Sequence, residues 1–511
     1  MTIQLPTEIW WRILDYLPSN KVKQLGRVNR AFLEKARQSR YQSLVIYEYD
    51  KKTKRRLKKI RSSSLGHYVR SLTLCVQAWP ASDLIRWDGQ TGDSLSVVDR
   101  VRSLFDSHYL PRKTVALKKK RLDRRIELIF EAMTAFEHIQ EYELIWEEYD
   151  QDCPEEFIPE VKFASSLMTI FLSMLVISPL RGTLTKLSLQ IPTHIALDCL
   201  AAADFPFLED LKVFLWKSQC SRAKDWDILT GYLGSENLAK FISGLSSTLQ
   251  TLSISRLDPS INLDRDFGRV FDLLCRTNFP FLRSFDFCTR SRYLRKGTPS
   301  LDRFVRQISH SVRSLKLSHL AYDTSSSSPL HHLDHRSWIS NVLSVQGLQT
   351  RAFSSLTSLR IKDGSLSAHL ADLSALLTSV AHQLVSFFLE DNLLTLKEVE
   401  TVVCSLSHSS SPLRYLGIEP RDLAPDTFDL LVCAFPGLRE LSLSFERFTS
   451  SDDDVIPMTE EDVRCMFPNL CLDLGFFCFG LMNTAGATAD GIICLRLRSA
   501  VSLEIELCLM R

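Results

Sequence analysis

The feature that most constrains this chain is a short template, apolar-x-x-apolar-x-apolar, that returns along most of its length. The clearest copies are Leu184/Leu187/Leu189, Leu208/Leu211/Val213, Leu249/Leu252/Ile254 and Leu282/Phe285/Phe287. Later copies are Val312/Leu315/Leu317, Leu356/Leu359/Ile361, Leu384/Phe387/Leu389, Leu413/Leu416/Ile418 and Leu438/Leu441/Leu443, and weaker early ones are Val69/Leu72/Leu74 and Ile139/Tyr142/Leu144. Middle positions from Leu187 to Leu441 are spaced by 24, 41, 33, 30, 44, 28, 29 and 25 residues. Each interval has room for one strand and one helix.

Alternate residues of a strand point to opposite faces, so Leu187 and Leu189 are expected in a core while Lys186 and Ser188 face the other side. Helical patterns at 267–275 and 399–406 sit between copies, and Phe-Pro turns at Phe205-Pro206, Phe279-Pro280 and Phe435-Pro436 precede several strands. An ordinary doubly wound α/β domain also alternates strands and helices. About ten copies over nearly 400 residues favour a stacked solenoid. The arrangement resembles the leucine-rich-repeat tails of a family identified below, with the usual Asn of the repeat missing.

The N-terminus follows another rule. In LPTEIWWRILDYLPSNKVKQLGRVNRAFLEKARQSRY, starting at Leu5, Ile9, Ile13, Leu14 and Leu17 recur at helical spacing and Pro18 ends the segment. After a Pro-Ser-Asn turn, Val22, Leu25, Val28 and Phe32 form a second series, so two or three short helices are expected. About forty residues are too few to bury all these side chains. The module either caps the next domain or docks on a partner.

In order and spacing, Leu5-Pro6, Glu8-Ile9, Ile13-Leu14, Leu17-Pro18, Leu25, Val28-Asn29 and Phe32 resemble the F-box family. The family often has an acidic residue plus Leu where this chain has Lys21-Val22, and usually Trp where it has Phe32. The resemblance implies a three-helix motif that binds the Skp adaptor of Skp–cullin–F-box (SCF) ubiquitin ligases through Leu5, Pro6, Ile9, Ile13, Leu14, Leu17 and Val28. It also implies that the repeats hold a protein substrate and that the chain is a non-catalytic adaptor.

In a solenoid, function belongs to the outward strand positions. These include Lys212, Phe214, Trp216, Lys316, Arg360, Lys362, Phe388, Glu390 and Tyr415, with the aromatic and Arg character common at binding hot spots. Coverage of an aromatic such as Phe214 or Trp216 by a neighbouring loop is an equal alternative.

Other clusters give less. Residues 51–61 hold eight cations in eleven, and KKKRLDRR from Lys118 holds six in eight. Such runs suit nuclear import or a polyanion, but no aromatics interleave them as single-strand binders require, and a formal net charge of +2 argues against bulk nucleic acid. His331, His332 and His335 follow a serine run and read as surface histidines, and Asp452, Asp453 and Asp454 lack the glycine and glutamate of a calcium loop. No nucleophile elbow, phosphate-cradling glycine loop or H-E-x-x-H pair occurs, so neither catalysis nor a cofactor is expected.

Thirteen cysteines without a C-x-x-C pair suggest a reduced protein of the cytoplasm, the nucleus or both. The start carries no signal-peptide pattern, the apolar stretch at 163–177 is interrupted by serines and a threonine, and the terminal Cys508-Leu-Met-Arg departs from a prenylation box, so no membrane association is expected. The expected fold is α/β: a short helical F-box at 1–41, a basic connecting segment at 42–68, an irregular, horseshoe-like leucine-rich-repeat solenoid at 69–468, and an atypical tail or cap at 469–511. The expected function is substrate recognition in an SCF ligase. A repeat scaffold outside any ligase and a nuclear nucleic-acid binder are the alternatives.

Overall fold

Each copy of the template folds as a short strand whose second and third apolar residues are buried, and the residue between them is more exposed except at Thr73 and Gly417, which are buried as well. The structure, a computed structural model, describes residues 6–25, 28–47, 49–62, 64–75, 109–145, 158–192, 198–216, 236–256, 263–289, 299–319, 353–363, 370–407, 411–445, 447–448, 491–498 and 502–503. They belong to two compact units, Met1–Thr248 and Leu249–Arg511, a division the repeats alone do not announce.

The first unit begins with α1 (Thr7–Asp15), α2 (Ser19–Gln24) and α3 (Arg30–Tyr41). Then come β1 (Ser43–Ile46), α4 (Lys51–Ser62), β2 (Ser71–Cys75), α5 (Tyr109–Thr134), β3 (Glu141–Ile145), α6 (Ile158–Ile177), β4 (Lys186–Pro192), α7 (Asp198–Ala201) and β5 (Asp210–Trp216). A helix over 236–244, α8, closes the series. The five strands lie side by side in chain order, all parallel, which long β–α crossovers permit. Leu44, Leu72, Tyr142, Leu187 and Leu211 stand opposite one another and form one buried row.

The segment 42–68, expected to be a basic connector, is instead a repeat: β1 pairs with β2 and is followed by α4. Tyr41, Leu44 and Ile46 obey the template and are all buried. The charge of the following run obscures this short copy.

Strand entrances are uniform. Gln140 and Glu141 both donate backbone N–H groups to Arg70 O, at 2.8 and 3.0 Å, and Thr185 and Lys186 do the same to Gln140 O at 2.8 and 2.9 Å. Such shared acceptors satisfy the first donors of each strand and hold adjacent copies in register.

The second unit contains β6 (Thr251–Arg256), α9 (Leu263–Leu274), β7 (Ser284–Thr289), α10 (Pro299–Ile308), β8 (Ser314–His319), β9 (Ser358–Asp363), α11 (Leu370–Val380), β10 (Ser386–Glu390), α12 (Leu396–Leu406) and β11 (Tyr415–Ile418). After these come β12 (Asp422–Leu423), α13 (Pro425–Ala434), β13 (Glu440–Phe445), β14 (Arg447–Phe448), β15 (Gly491–Arg498) and β16 (Ser502–Leu503). Strands β6 to β11 and β13 are parallel neighbours. Strands β12 and β14 pair separately. Leu252, Phe285, Leu315, Leu359, Phe387, Leu416 and Leu441 align across the seven neighbours as the repeat predicts. Beyond them the direction reverses: β15 runs antiparallel to β13, and β16 antiparallel to β15. These two strands break the parallel order, and the rest of the segment expected to be an atypical tail or cap, 469–490, 499–501 and 504–511, lies outside the described residues.

Phenylalanines mark the turns into the strands. The N–H of Leu208, Leu282 and Leu438 donates to the carbonyl of Phe205, Phe279 and Phe435 at 3.2, 3.3 and 3.1 Å, and the three rings are buried. Phe353, without a following proline, forms the same turn to Leu356 at 3.0 Å with φ at 60°. In the second unit Phe271, Phe285 and Phe279 surround Phe304 at 5.5, 5.3 and 5.8 Å between ring centroids. Each such ring contributes roughly 1.5–3 kcal/mol by burial.

The helices at 267–275 and 399–406 begin a few residues earlier than periodicity suggests, because their first turns are polar. Thr395 and Glu398 form a capping box at the start of α12. The repeat asparagine, expected to be missing, is present in one repeat: Asn392, three residues after Leu389, is buried and donates Nδ2–H to Glu390 O at 2.9 Å. Among the described residues no helix is long and apolar enough to cross a membrane.

Candidate protein-interaction surfaces

Three helices form the N-terminal module because Pro18 ends the first and Asn29 starts the third. Asn29 Oδ1 accepts the N–H of Phe32 at 3.0 Å, splitting what periodicity reads as one second series. Leu14, Val22, Ala31 and Phe32 make a small buried core, packed by Trp10, Leu17, Leu25 and Ala36. Trp10 meets Phe32 edge-on at 5.4 Å, and Lys35 Nζ bonds Asp15 at 2.6 Å while lying 5.3 Å from the Trp11 ring.

This packing divides the expected adaptor-binding residues. Leu14, at 1% exposure, is a core residue, and Leu17 is half-buried against that core. Pro6 is exposed and its carbonyl accepts the N–H groups of Ile9 and Trp10, whereas Leu5 lies outside the described residues. Ile9, Ile13 and Val28 are 43, 39 and 59% exposed. Tyr16, at 88%, completes an i, i+4, i+7 stripe with Ile9 and Ile13. Helical spacing specifies Ile9 and Ile13, whereas Tyr16 is not singled out by spacing because its phenol can equally face water.

On the sheet of the first unit, Thr73, Glu143, Ser188 and Lys212 form a polar row across β2 to β5. Thr73 Oγ1 donates to Glu143 at 3.1 Å, and Lys186 pairs with Glu141 at 2.7 Å in the preceding row. Lys212 is exposed and Phe214 half-buried. Trp216 ends β5 opposite Pro192, and its side chain lies outside the described set.

In the second unit, register brings Lys316, Arg360 and Phe388 into one row, between Asp286 and Gly417. Tyr415 belongs to the neighbouring row, opposite Ser386. Lys316 reaches Asp286 at 3.3 Å, Arg360 is ion-paired with Glu390 and lies 5.4 Å from the Phe388 centroid, and Lys362 meets Asp391 at 3.2 Å. Polar side chains of this face therefore lock one another in place. Exposed pairs of this kind contribute little stability, about 0–1 kcal/mol each, so they set shape more than energy.

Beyond the predicted residues, Glu419 stands near Asp391 and Glu390. Burial, and then those two carboxylates, raise its acid to about 7 against opposing backbone N–H donation from Asp391 and Asn392. Asp391 adopts a left-handed φ of 60°. Burial and then Asp286 push the Cys288 thiol up to about 11, which keeps it protonated and poorly nucleophilic at neutral pH. His319 Nδ1 is 3.4 Å from the buried Asp363. Among the described residues no three or more His, Cys, Asp or Glu are grouped to hold a metal ion. His331, His332, His335 and Asp452 to Asp454 lie outside them.

No protein-family model matches the chain, and no curated protein matches it. Among solved structures it is similar to the leucine-rich-repeat-containing protein LegL7 from Legionella pneumophila, with 16% identity over 56% of this chain and 88% of that chain and a TM-score of 0.28. It is also similar to a chain of the Rad7 and Elc1 complex in yeast, with 14% identity over 70% of this chain and 89% of that chain and a TM-score of 0.30.

Proposed function

We propose that this chain is a non-catalytic adaptor of an SCF ubiquitin ligase, docking on the Skp adaptor, and through it the cullin, by its helical module while the repeats hold a protein substrate. The observation that carries the reading is the exposed stripe formed by Ile9 and Ile13 on α1 and Tyr16 at its C-cap, in a module whose order of residues resembles the F-box. Leaving three large side chains uncovered on a helix with its own core is costly unless a partner covers them.

Under this reading the parallel strands supply a rigid frame for the substrate. Arg360 and Phe388, fixed by Glu390 and by each other, are the anchor pair, of the residue types that dominate hot spots. Held near the ligase's catalytic subunits, a substrate gains effective concentration and the chain itself needs no reactive group.

The test is co-purification with the Skp adaptor. Ile9→Glu combined with Ile13→Glu should abolish the complex while the chain keeps its melting temperature, since neither side chain is in the core. A complex that survives in the folded double variant sinks the reading.

A further inference from the structure

Helix α4 carries cations around most of its circumference and is held down by only two buried residues, Leu57 and Ile60. Its two flanks differ. On the side facing the end of α3, Lys52, Arg55, Arg56 and Lys59 fall at i, i+3, i+4 and i+7, and with Lys51 and Arg40 they surround a hollow of about 640 Å³. Among the described residues lining it, the only acid is Asp50, which caps α4 by accepting the N–H of Thr53 at 2.6 Å. On the side facing α5, Lys54, Lys58 and Arg61 share their hollow with Glu127 and Glu131, and Arg61 is ion-paired with Glu131. Six cations against one acid thus stand on the first side, and six against three acids on the second.

The first hollow is built as well as charged. Arg56 Nη2 donates to Arg40 O at 2.7 Å and to Ser43 O at 3.1 Å. Both guanidinium groups lie against the buried Tyr41 ring, Arg40 at 5.8 Å and Arg56 at 5.7 Å from its centroid. Lys51 and Lys52 sit in the first turn of α4, where like charge adds to the positive end of the helix instead of offsetting it. Fixed guanidinium forks and convergent ammonium groups match clustered phosphoryl oxygens. A single-strand nucleic acid would need exposed aromatic faces, and the aromatic here is buried.

We infer that the hollow between the end of α3 and α4 is a binding site for a compact soluble anion bearing several phosphoryl groups. Its volume suits a small ligand, and its six cations line one hollow, where an extended polyanion would need a longer track. The site is separate from the α1 stripe and does not depend on the adaptor reading.

The test is calorimetric titration of the full chain with sodium tripolyphosphate. Saturable binding is expected, weakened about tenfold or more by Lys52→Glu with Arg55→Glu and much less by Lys54→Glu with Lys58→Glu, which makes the same charge change on the other flank. Both pairs are exposed, and unchanged melting temperatures verify the fold. Absence of saturable binding, equal weakening by the two pairs, or preference for duplex DNA with affinity that grows with duplex length would each overturn the inference.

Discussion

Phe388 and Gly417 stand opposite each other on β10 and β11, and a Cβ built on Gly417 would lie 2.2 Å from Phe388 Cδ1. The missing side chain gives the ring space on the next strand, while Arg360 covers it from the strand before. Gly417→Val should therefore cost roughly 1–3 kcal/mol in urea unfolding, as overpacking does. Most of that cost should vanish in a Phe388→Ala background; additive effects would show that the two positions do not meet.

Gly66 presents a harder obstacle. Its Cβ would fall 1.9 Å from Ala135 O, a backbone atom that cannot rotate aside. Gly66→Ala is expected to destabilise by at least about 1–3 kcal/mol. Gly437→Ala, with nothing within 4 Å, should stay within roughly 0.5 kcal/mol. Equal melting temperatures for the two variants would contradict the packing of Gly66 on Ala135.

Ile13 and Leu14 are adjacent in sequence and opposite in fate. Leu14→Ala should cost about 2–5 kcal/mol by opening a cavity among Val22, Ala31 and Phe32. Ile13→Ser should change stability by roughly 0.5 kcal/mol or less. Thermal unfolding followed by circular dichroism separates them, and a reversed order would invert the assignment of core and surface in the helical module.

The acid of Glu419 is raised to about 7 from an ordinary 4.5, chiefly by burial. Between these values the folded state binds more protons than the unfolded state, so this group makes stability fall as pH rises through that window. Asp302, raised to about 6 by burial, adds the same sign over its own lower window. Glu419→Gln should flatten the pH dependence of stability between 4.5 and about 7; an unchanged slope there would place the titration elsewhere.

The strand rows were legible because alternation is local: a Leu at one position and a Leu two later must share a face wherever the strand is placed. The repeat at Tyr41, Leu44 and Ile46 was equally regular but sat beside eight cations in eleven residues, and charge masked it. Lys316, Arg360 and Phe388 share one row because each lies midway between template positions, which spacing alone specifies. Glu419 is not specified in this way, since its environment comes from Asp391 and Glu390 on another repeat.

From its sequence alone, then, this protein was bound to form stacked β–α units behind a small helical module, because apolar spacing and proline and asparagine breaks act within a few residues. Only the tertiary structure decided that Leu14 faces inward and Ile13 outward, that Gly417 makes room for Phe388, and that Arg40 joins Arg55 around one hollow. Those outcomes depend on which repeat lies beside which and on how the helices pack. Intervals of 24 to 44 residues leave both undetermined until the chain closes on itself.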